Sequence, residues 1–133
     1  MTEPNIKAVR LDERLIHGQG RLWISNLGVN LVIVANDEVA TSHIQQQLMS
    51  SLMPESVGIR FFSLEETANK IFKASPRQTI FIIVKTAQDV LTLAEKTGTS
   101  VQILGRKGLP FFLLEHRKRK VFFFGIGMAF VLM

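Results

Sequence analysis

The stretch Thr79–Val84 has the sequence TIFIIV, an almost unbroken apolar run rich in β-branched and aromatic residues. Two runs of the same kind precede it, LVIVA at Leu31–Ala35 and GIRFF at Gly58–Phe62. A fourth candidate is NIKAVRL at Asn5–Leu11, an apolar-rich run that ends in charge. Near-continuous apolar runs of this length are typical of parallel strands that are buried on both faces. We therefore predict parallel strands at these four positions.

Segments with helical spacing lie between the runs. The pair Thr41-Ser42 is a plausible N-cap, and it precedes apolar residues at helical intervals that we expect to face the core, namely Ile44, Leu48, Met49 and Leu52. Ser63 and Thr86 each have an acidic residue three positions on, which is the spacing of a capping box. The sequence therefore predicts helices after the second, third and fourth runs.

The alternation of strand and helix indicates right-handed βαβ crossovers. The predicted fold class is α/β, with an open, mainly parallel sheet, helices on both faces, and C-terminal elements that are atypical or truncated. We divide the chain into a core at residues 1–100 and a tail at residues 101–133. The tail could also be an incomplete closure of the same domain.

Composition limits the chemistry and the partners. The chain has 133 residues, 47% of them hydrophobic and 20% charged, which suits one globular domain with a single core. It has no cysteine, which excludes disulfides, thiolate zinc sites and cysteine nucleophiles. The formal net charge of +5 lies wholly in residues 101–133, because residues 1–100 carry equal numbers of acidic and basic residues. High overall basicity is therefore no argument for a nucleic-acid partner of the core.

In open parallel sheets, ligands bind outside the carboxyl ends of the strands. Four segments should reach that edge: Leu11–Gly20, Asn36–Glu38, Ser63–Leu64 and Lys85–Thr86. The first is the most unusual, since two arginines, two carboxylates, a histidine and two glycines lie between residues 10 and 20.

This first loop has the residues that phosphate chemistry requires. The glycines on both sides of Gln19 allow backbone amides to approach an anion, and Arg14 could hold phosphate oxygens with its guanidinium fork. Asp12 could orient an imidazole or the arginine. His17 would then be a nucleophile for a phosphoryl group, and the alternative is a histidine that is merely solvated or hydrogen-bonded. Gly18-Gln19-Gly20 is not a dinucleotide fingerprint, because Trp23 stands where the third glycine should be.

The sequence RLDERLIHGQ at residues 10–19, with Trp23 nearby, resembles the active-site loop of the IIB components of the bacterial sugar phosphotransferase system, in the mannose/fructose/sorbose class. The likeness extends over about residues 4–100. Within that class, residues 1–6, 36–40 and 58–62 are most similar to the N-acetylgalactosamine-type branch.

The resemblance implies a phosphotransferase and a set of partners. A IIB component accepts a phosphoryl group from a phosphohistidine of its IIA partner and passes it to a sugar that enters through the IIC/IID membrane permease. The sugar would be a hexosamine or of the mannose type. The protein would be cytoplasmic and associated with the permease at the membrane, in agreement with a start that lacks the features of a secretory signal. A homo-oligomer is compatible with this role, and no nucleic acid is expected.

The resemblance also implies roles for residues of this chain. His17 is the phosphorylated residue, at Nδ1, and Asp12 and Arg14 match the charged pair beside it. Weaker candidates for the phosphate-binding rim of the site are Arg10, Gly18, Gln19, Asp37, Lys85 and Thr86. Neither a metal nor an organic cofactor is expected.

The tail has three interpretations. It could be a divergent closing segment, with late secondary structure at Phe111–Leu114 and Val121–Ile126 after a fifth strand at Val101–Leu104. It could be a basic element that makes the protein a non-enzymatic module for nucleic acid or an anionic membrane surface. It could also be out-of-frame translation, which we favour because composition and family likeness change at the same point. The uncharged segment Val121–Met133 is too short to span a bilayer.

Overall fold

The computed structural model describes residues 5–18, 24, 28–75, 77–97, 100–106, 109–116, 119–124 and 128–132. Four strands form a parallel sheet: β1 (Asn5–Leu11), β2 (Leu31–Ala35), β3 (Gly58–Phe62) and β4 (Thr79–Val84). Their order across the sheet is β1-β4-β2-β3, so β4 and β2 are central and β3 is an edge strand. All four predicted strands are confirmed at the predicted residues.

Three described helices connect or follow these strands: α1 (His43–Ser51), α2 (Leu64–Lys70) and α3 (Ala87–Thr97). Short 3-10 turns at Val39–Thr41 and Ile71–Lys73 flank the first two. In α2, the Ser63 hydroxyl accepts from the Glu66 amide and the Glu66 carboxylate accepts from the Ser63 amide, which confirms the predicted capping box. Thr86 and Asp89 exchange the same pair of bonds at the start of α3.

The two faces of the sheet carry separate apolar clusters, because successive strand residues point to opposite sides. On one face, Ile33 and Ile82 pack with Leu64 from α2 and Val90 from α3. The other cluster contains the strand residues Val32, Val34, Phe81 and Ile83. It also contains Leu15 and Ile16, which follow β1, and Val39, which follows β2. Both faces are therefore covered, as the fold class requires.

The predicted apolar face of α1 is confirmed at Met49 and Leu52 and is wrong at Ile44 and Leu48. Ile44 and Leu48 are 74% and 63% exposed, although both were expected in the core. The inward side instead carries Gln46, whose Nε2 donates to the Val39 carbonyl at 2.8 Å, together with Met49 and Leu52, which pack against the second cluster. The inward side of the helix is therefore partly polar, with Gln46 bonded to the preceding turn.

The C-terminal strands do not continue the parallel sheet. Residues 100–132 contain four strands, β5 (Ser100–Arg106), β6 (Leu109–His116), β7 (Arg119–Phe124) and β8 (Met128–Leu132), paired in sequence as an antiparallel sheet. The predicted strand Val101–Leu104 thus exists within β5, but it pairs with β6 and not with the parallel sheet. Adjacent strands joined by short connections pair antiparallel.

Ile126 and the side chains of the tail lie outside the part of the chain that the structure describes. The interpretations that depend on the basic run or on the reading frame therefore stay predictions. In the described part of the chain, no helix is both long enough and apolar enough to cross a bilayer.

Candidate functional site

The candidate site lies at the carboxyl edge of the parallel sheet. Leu11, Val84 and Ala35 occupy the same level of the ladder at the ends of β1, β4 and β2. The Asp12 amide donates to the Val84 carbonyl at 2.9 Å, which extends the pairing of β1 with β4 by one bond. The first residue of the loop is therefore fixed to the central strand of the sheet.

Asp12 is the centre of a group of four charged or titratable side chains. Its Oδ2 accepts from Arg10 Nη2 at 3.0 Å and from His17 Nε2 at 2.9 Å. Its Oδ1 accepts from the Arg14 amide at 3.0 Å and lies 3.5 Å from Arg14 Nε. The sequence left open whether Asp12 orients the imidazole or the arginine, and in the structure it contacts both.

The Asp12 carboxyl is buried yet ionised. Burial raises its pKa, but the hydrogen bond from the Arg14 amide, the hydrogen bond from His17 and the positive charge of Arg10 lower it more. As a result the pKa of Asp12 lies below its ordinary value of 3.8. At neutral pH the group is thus a fixed negative charge beside the imidazole.

The bond between Asp12 and His17 determines which ring nitrogen is nucleophilic. A carboxylate can only accept, so the neutral imidazole carries its proton on Nε2 and has its lone pair on Nδ1. No described residue hydrogen-bonds to Nδ1, and the side chain is 16% exposed. The group is therefore held in one orientation while its second nitrogen is available for reaction.

Two apolar residues hold the loop to the sheet. Leu15 and Ile16 are each 5% exposed and pack in the cluster on the face of Val32 and Val34. Leu15 has φ 54°, the left-handed region that non-glycine residues seldom adopt, and its amide donates to the Asp12 carbonyl at 2.9 Å. Sequence reasoning missed both residues, although an apolar pair within a charged loop was a signal of anchoring.

Arg14 is the most accessible charge of the group, with a side chain that is 58% exposed. Its contact with Asp12 uses Nε, and no described residue accepts from its two terminal nitrogens. Arg10, by contrast, has a side chain that is 12% exposed and lies against the same Asp12 oxygen as His17. Arg14 is thus placed to meet an incoming anion, and Arg10 to support Asp12.

The remaining predicted rim residues do not join this group by any described hydrogen bond or ion pair. Asp37 is exposed, and its Oδ1 accepts from the Leu64 amide at 2.9 Å. Thr86 forms the cap of α3, while Lys85 is partly buried directly after β4. Gly18 is exposed, and a Cβ added there would meet nothing within 4 Å. Gln19 and Gly20 lie outside the described residues.

The described residues contain no group of three or more histidine and carboxylate side chains placed to hold a metal ion. What the loop does present is a lone pair on Nδ1 of His17 and the exposed guanidinium of Arg14, both held by the same carboxylate. That combination can accept a phosphoryl group, because such transfers depend mainly on positioning and on stabilising charge.

Comparison with protein families matches residues 6–104 to the "PTS system sorbose subfamily IIB component". Among curated proteins, the chain is 50% identical over 97 residues to the N-acetylgalactosamine-specific phosphotransferase enzyme IIB component 1 of Escherichia coli, and 47% identical over 93 residues to component 2. These matches cover 71% and 69% of this chain. They span 61% and 59% of the relatives, so the chain corresponds to about three fifths of their length.

Solved structures agree with these matches. An N-acetylgalactosamine IIB component from Streptococcus pyogenes superposes with a TM-score of 0.70 at 47% identity, covering 81% of this chain and 69% of that one. An N-acetylgalactosamine-specific IIB component 1 from Escherichia coli gives a TM-score of 0.65 at 40% identity, covering 79% and 73%. The similarity in sequence is therefore also a similarity in fold.

Proposed function

The chain belongs to the sorbose subfamily of phosphotransferase-system IIB components, and from this membership we propose that it is a phosphotransferase that carries a phosphoryl group on His17. The observation that supports the proposal most directly is the hydrogen bond of 2.9 Å between His17 Nε2 and the buried carboxylate of Asp12. It leaves Nδ1 as the nitrogen with a lone pair, and no described residue hydrogen-bonds to that atom.

The first step is acceptance of the phosphoryl group. Nδ1 of His17 attacks the phosphorus of a phosphohistidine on the IIA partner, the new P–N bond forms, and the bond to the donor imidazole breaks. Because Nε2 keeps its proton, the phosphorylated ring gains positive charge, which the Asp12 carboxylate stabilises at hydrogen-bond distance. Arg14 offers the terminal nitrogens of its guanidinium to the phosphoryl oxygens.

The second step is transfer to the sugar. A sugar hydroxyl attacks the same phosphorus, the P–N bond to Nδ1 breaks, and the hydroxyl proton is released to water. His17 returns to the neutral form with its proton on Nε2, ready for another cycle. Since the ring is a good leaving group only while Nε2 stays protonated, Asp12 acts in both steps.

The partners in this proposal are the IIA phosphohistidine protein and the IIC/IID permease, and the protein works in the cytoplasm at the membrane. The sugar is N-acetylgalactosamine or a related hexosamine, with a mannose-type sugar as the alternative. Support for the hexosamine comes from the two Escherichia coli relatives that are named N-acetylgalactosamine-specific. We assign the phosphocarrier role to residues 1–100, since the described helices end at Thr97 and the family match ends at residue 104.

The direct test is phosphorylation of the purified chain by phosphorylated IIA. We expect one acid-labile phosphate per chain and a ³¹P resonance typical of Nδ1 substitution. The His17→Ala variant should accept none. His43→Ala is the matched control, because His43 is an exposed histidine at the start of α1 and should leave labelling unchanged. Labelling of the His17→Ala variant, or substitution at Nε2 in the parent chain, would refute the assignment.

The sugar is tested separately with the phosphorylated chain and vesicles that contain the IIC/IID permease. Transfer to N-acetylgalactosamine in preference to mannose is the expected result. Preference for mannose would overturn the hexosamine assignment and leave the carrier role of His17 intact.

A further inference from the structure

A cavity of about 160 Å³ opens on the face of the parallel sheet that carries α2 and α3, away from the His17 loop. Its floor consists of buried strand residues, Leu31 and Ile33 from β2 and Ile80 from β4. Phe62 and Ile71 form its walls. The buried floor is therefore apolar, while Gln78 and the exposed residues of the lining are polar.

The mouth of the cavity is basic. Arg60, Lys70 and Lys73 all line it and are exposed. Lys70 is already engaged, since its Nζ lies 3.4 Å from Glu66 and 4.6 Å from the centre of the Phe62 ring. Arg60 and Lys73 have no carboxylate within salt-bridge distance among the described residues. Two positive charges thus lie beside the apolar floor without an acidic partner among the described residues.

The size of the cavity limits the ligand. Apolar cavities of about 150 Å³ accommodate a benzene molecule. We propose that this cavity binds a ring-sized organic anion, with the ring on the apolar floor and the carboxylate or phosphate group at the mouth, toward Arg60 and Lys73. Charge-assisted bonds to the acid group would then distinguish the anion from a neutral molecule of the same shape.

This site is separate from the phosphate-handling loop. Leu31 is the first residue of β2 and Ile80 the second residue of β4, whereas His17 follows the carboxyl end of β1. The cavity floor also belongs to one apolar cluster, and Leu15, which anchors the loop, belongs to the cluster on the opposite face. Binding in the cavity therefore needs neither His17 nor Arg14, and the proposal does not depend on the carrier function.

The test is a titration of the full chain with three probes, monitored by ¹H–¹⁵N spectra. Benzoate has the ring and the charge, benzyl alcohol has the ring alone, and acetate has the charge alone. We expect benzoate to shift amides around Arg60 and between Ile71 and Gln78, with an affinity about tenfold above that of benzyl alcohol. Acetate should produce no saturable shift there.

Two kinds of variant separate charge from shape. The double variant Arg60→Gln/Lys73→Gln should bind benzoate and benzyl alcohol equally. The control Lys96→Gln removes an exposed lysine of α3 that does not line the cavity, and it should leave binding unchanged. Ala74→Leu adds a side chain at the cavity wall and should abolish binding of both aromatic probes. Its folding is checked by thermal unfolding, and it retains every charge at the mouth.

Equal affinities for benzoate and benzyl alcohol in the parent chain would overturn the proposal. Benzoate shifts confined to the His17 loop would do the same, because they would mean that Arg14 and not the cavity attracts the anion. Unaltered binding to the Ala74→Leu variant is the third result that would refute it.

Discussion

Replacing Asp12 by asparagine should separate the geometry of the loop from its charge. Asp12 uses both oxygens, one for the Arg14 amide at 3.0 Å and the other for Arg10 Nη2 and His17 Nε2 at 3.0 and 2.9 Å. An amide of the same shape has only one oxygen. If that oxygen keeps the Arg14 bond, an NH₂ group faces the donors of Arg10 and His17.

Two effects set the expected magnitude. A hydrogen bond to a charged group contributes about 1.5–3 kcal/mol, and its loss at His17 corresponds to a transfer rate about 10- to 150-fold lower. In addition, an NH₂ group beside Nε2 favours the tautomer with the proton on Nδ1, which removes the nucleophilic lone pair. The equivalent change in a serine protease triad lowers kcat about 10⁴-fold for that reason. We therefore expect a loss between these limits.

The assay is rapid-quench measurement of phosphoryl transfer from phosphorylated IIA, together with ¹⁵N spectra that report the tautomer of His17. Asp89→Asn is the matched control, because it makes the same chemical change in the carboxylate that accepts from the Thr86 amide at the cap of α3. Its transfer rate should equal that of the parent chain. An Asp12→Asn variant with a rate within about threefold of the parent, and with the proton still on Nε2, would refute the reasoning.

Four further measurements probe the fold and the loop. Because the pKa of Asp12 is lowered in the folded state, its contribution to stability is present above pH 3.8 and is lost as the pH falls through the lower folded value. The free energy of unfolding of the parent in urea should therefore decrease with acid more than that of Asp12→Asn. Leu15→Ala should cost about 2–4 kcal/mol in urea unfolding and slow transfer, because the loop loses a buried anchor. Ser63→Ala should cost about 1 kcal/mol with transfer unchanged, since it removes only a helix cap. Ile44→Ser and Leu48→Ser should each change the free energy of unfolding by less than about 0.5 kcal/mol, and a cost of several times that would contradict their exposure.

The parallel sheet could be predicted from the sequence because its central strands are buried on both faces. Every residue of Leu31–Ala35 is buried, and so are Ile80–Val84, which leaves an unbroken apolar run as the visible signal. The caps at Ser63 and Thr86 were predictable for a similar reason, since each depends on side chains three residues apart. Local bonds leave a local pattern in the sequence.

The features that the sequence did not predict have the opposite origin. The orientation of α1 depends on the bond from Gln46 to the Val39 carbonyl, in which a polar residue takes the inward side, and hydrophobic spacing contains no signal of that bond. The antiparallel pairing of β5–β8 depends on which strands meet, and this cannot be predicted from apolar runs alone. In both cases partners outside the segment decided the structure.

The His17 loop combines the two situations. Its chemistry is local, since Arg10, Asp12, Arg14 and His17 lie within eight consecutive residues, and a sequence motif can identify them. Its geometry is not local, because the Asp12 amide is bonded to Val84 of the central strand, and Leu15 is buried against residues far along the chain. An isolated peptide with this sequence would contain the reactive groups without the fold that holds the Asp12 carboxylate hydrogen-bonded to Nε2 in a fixed position. Attachment of the loop to the sheet therefore gives His17 a single defined nucleophilic nitrogen.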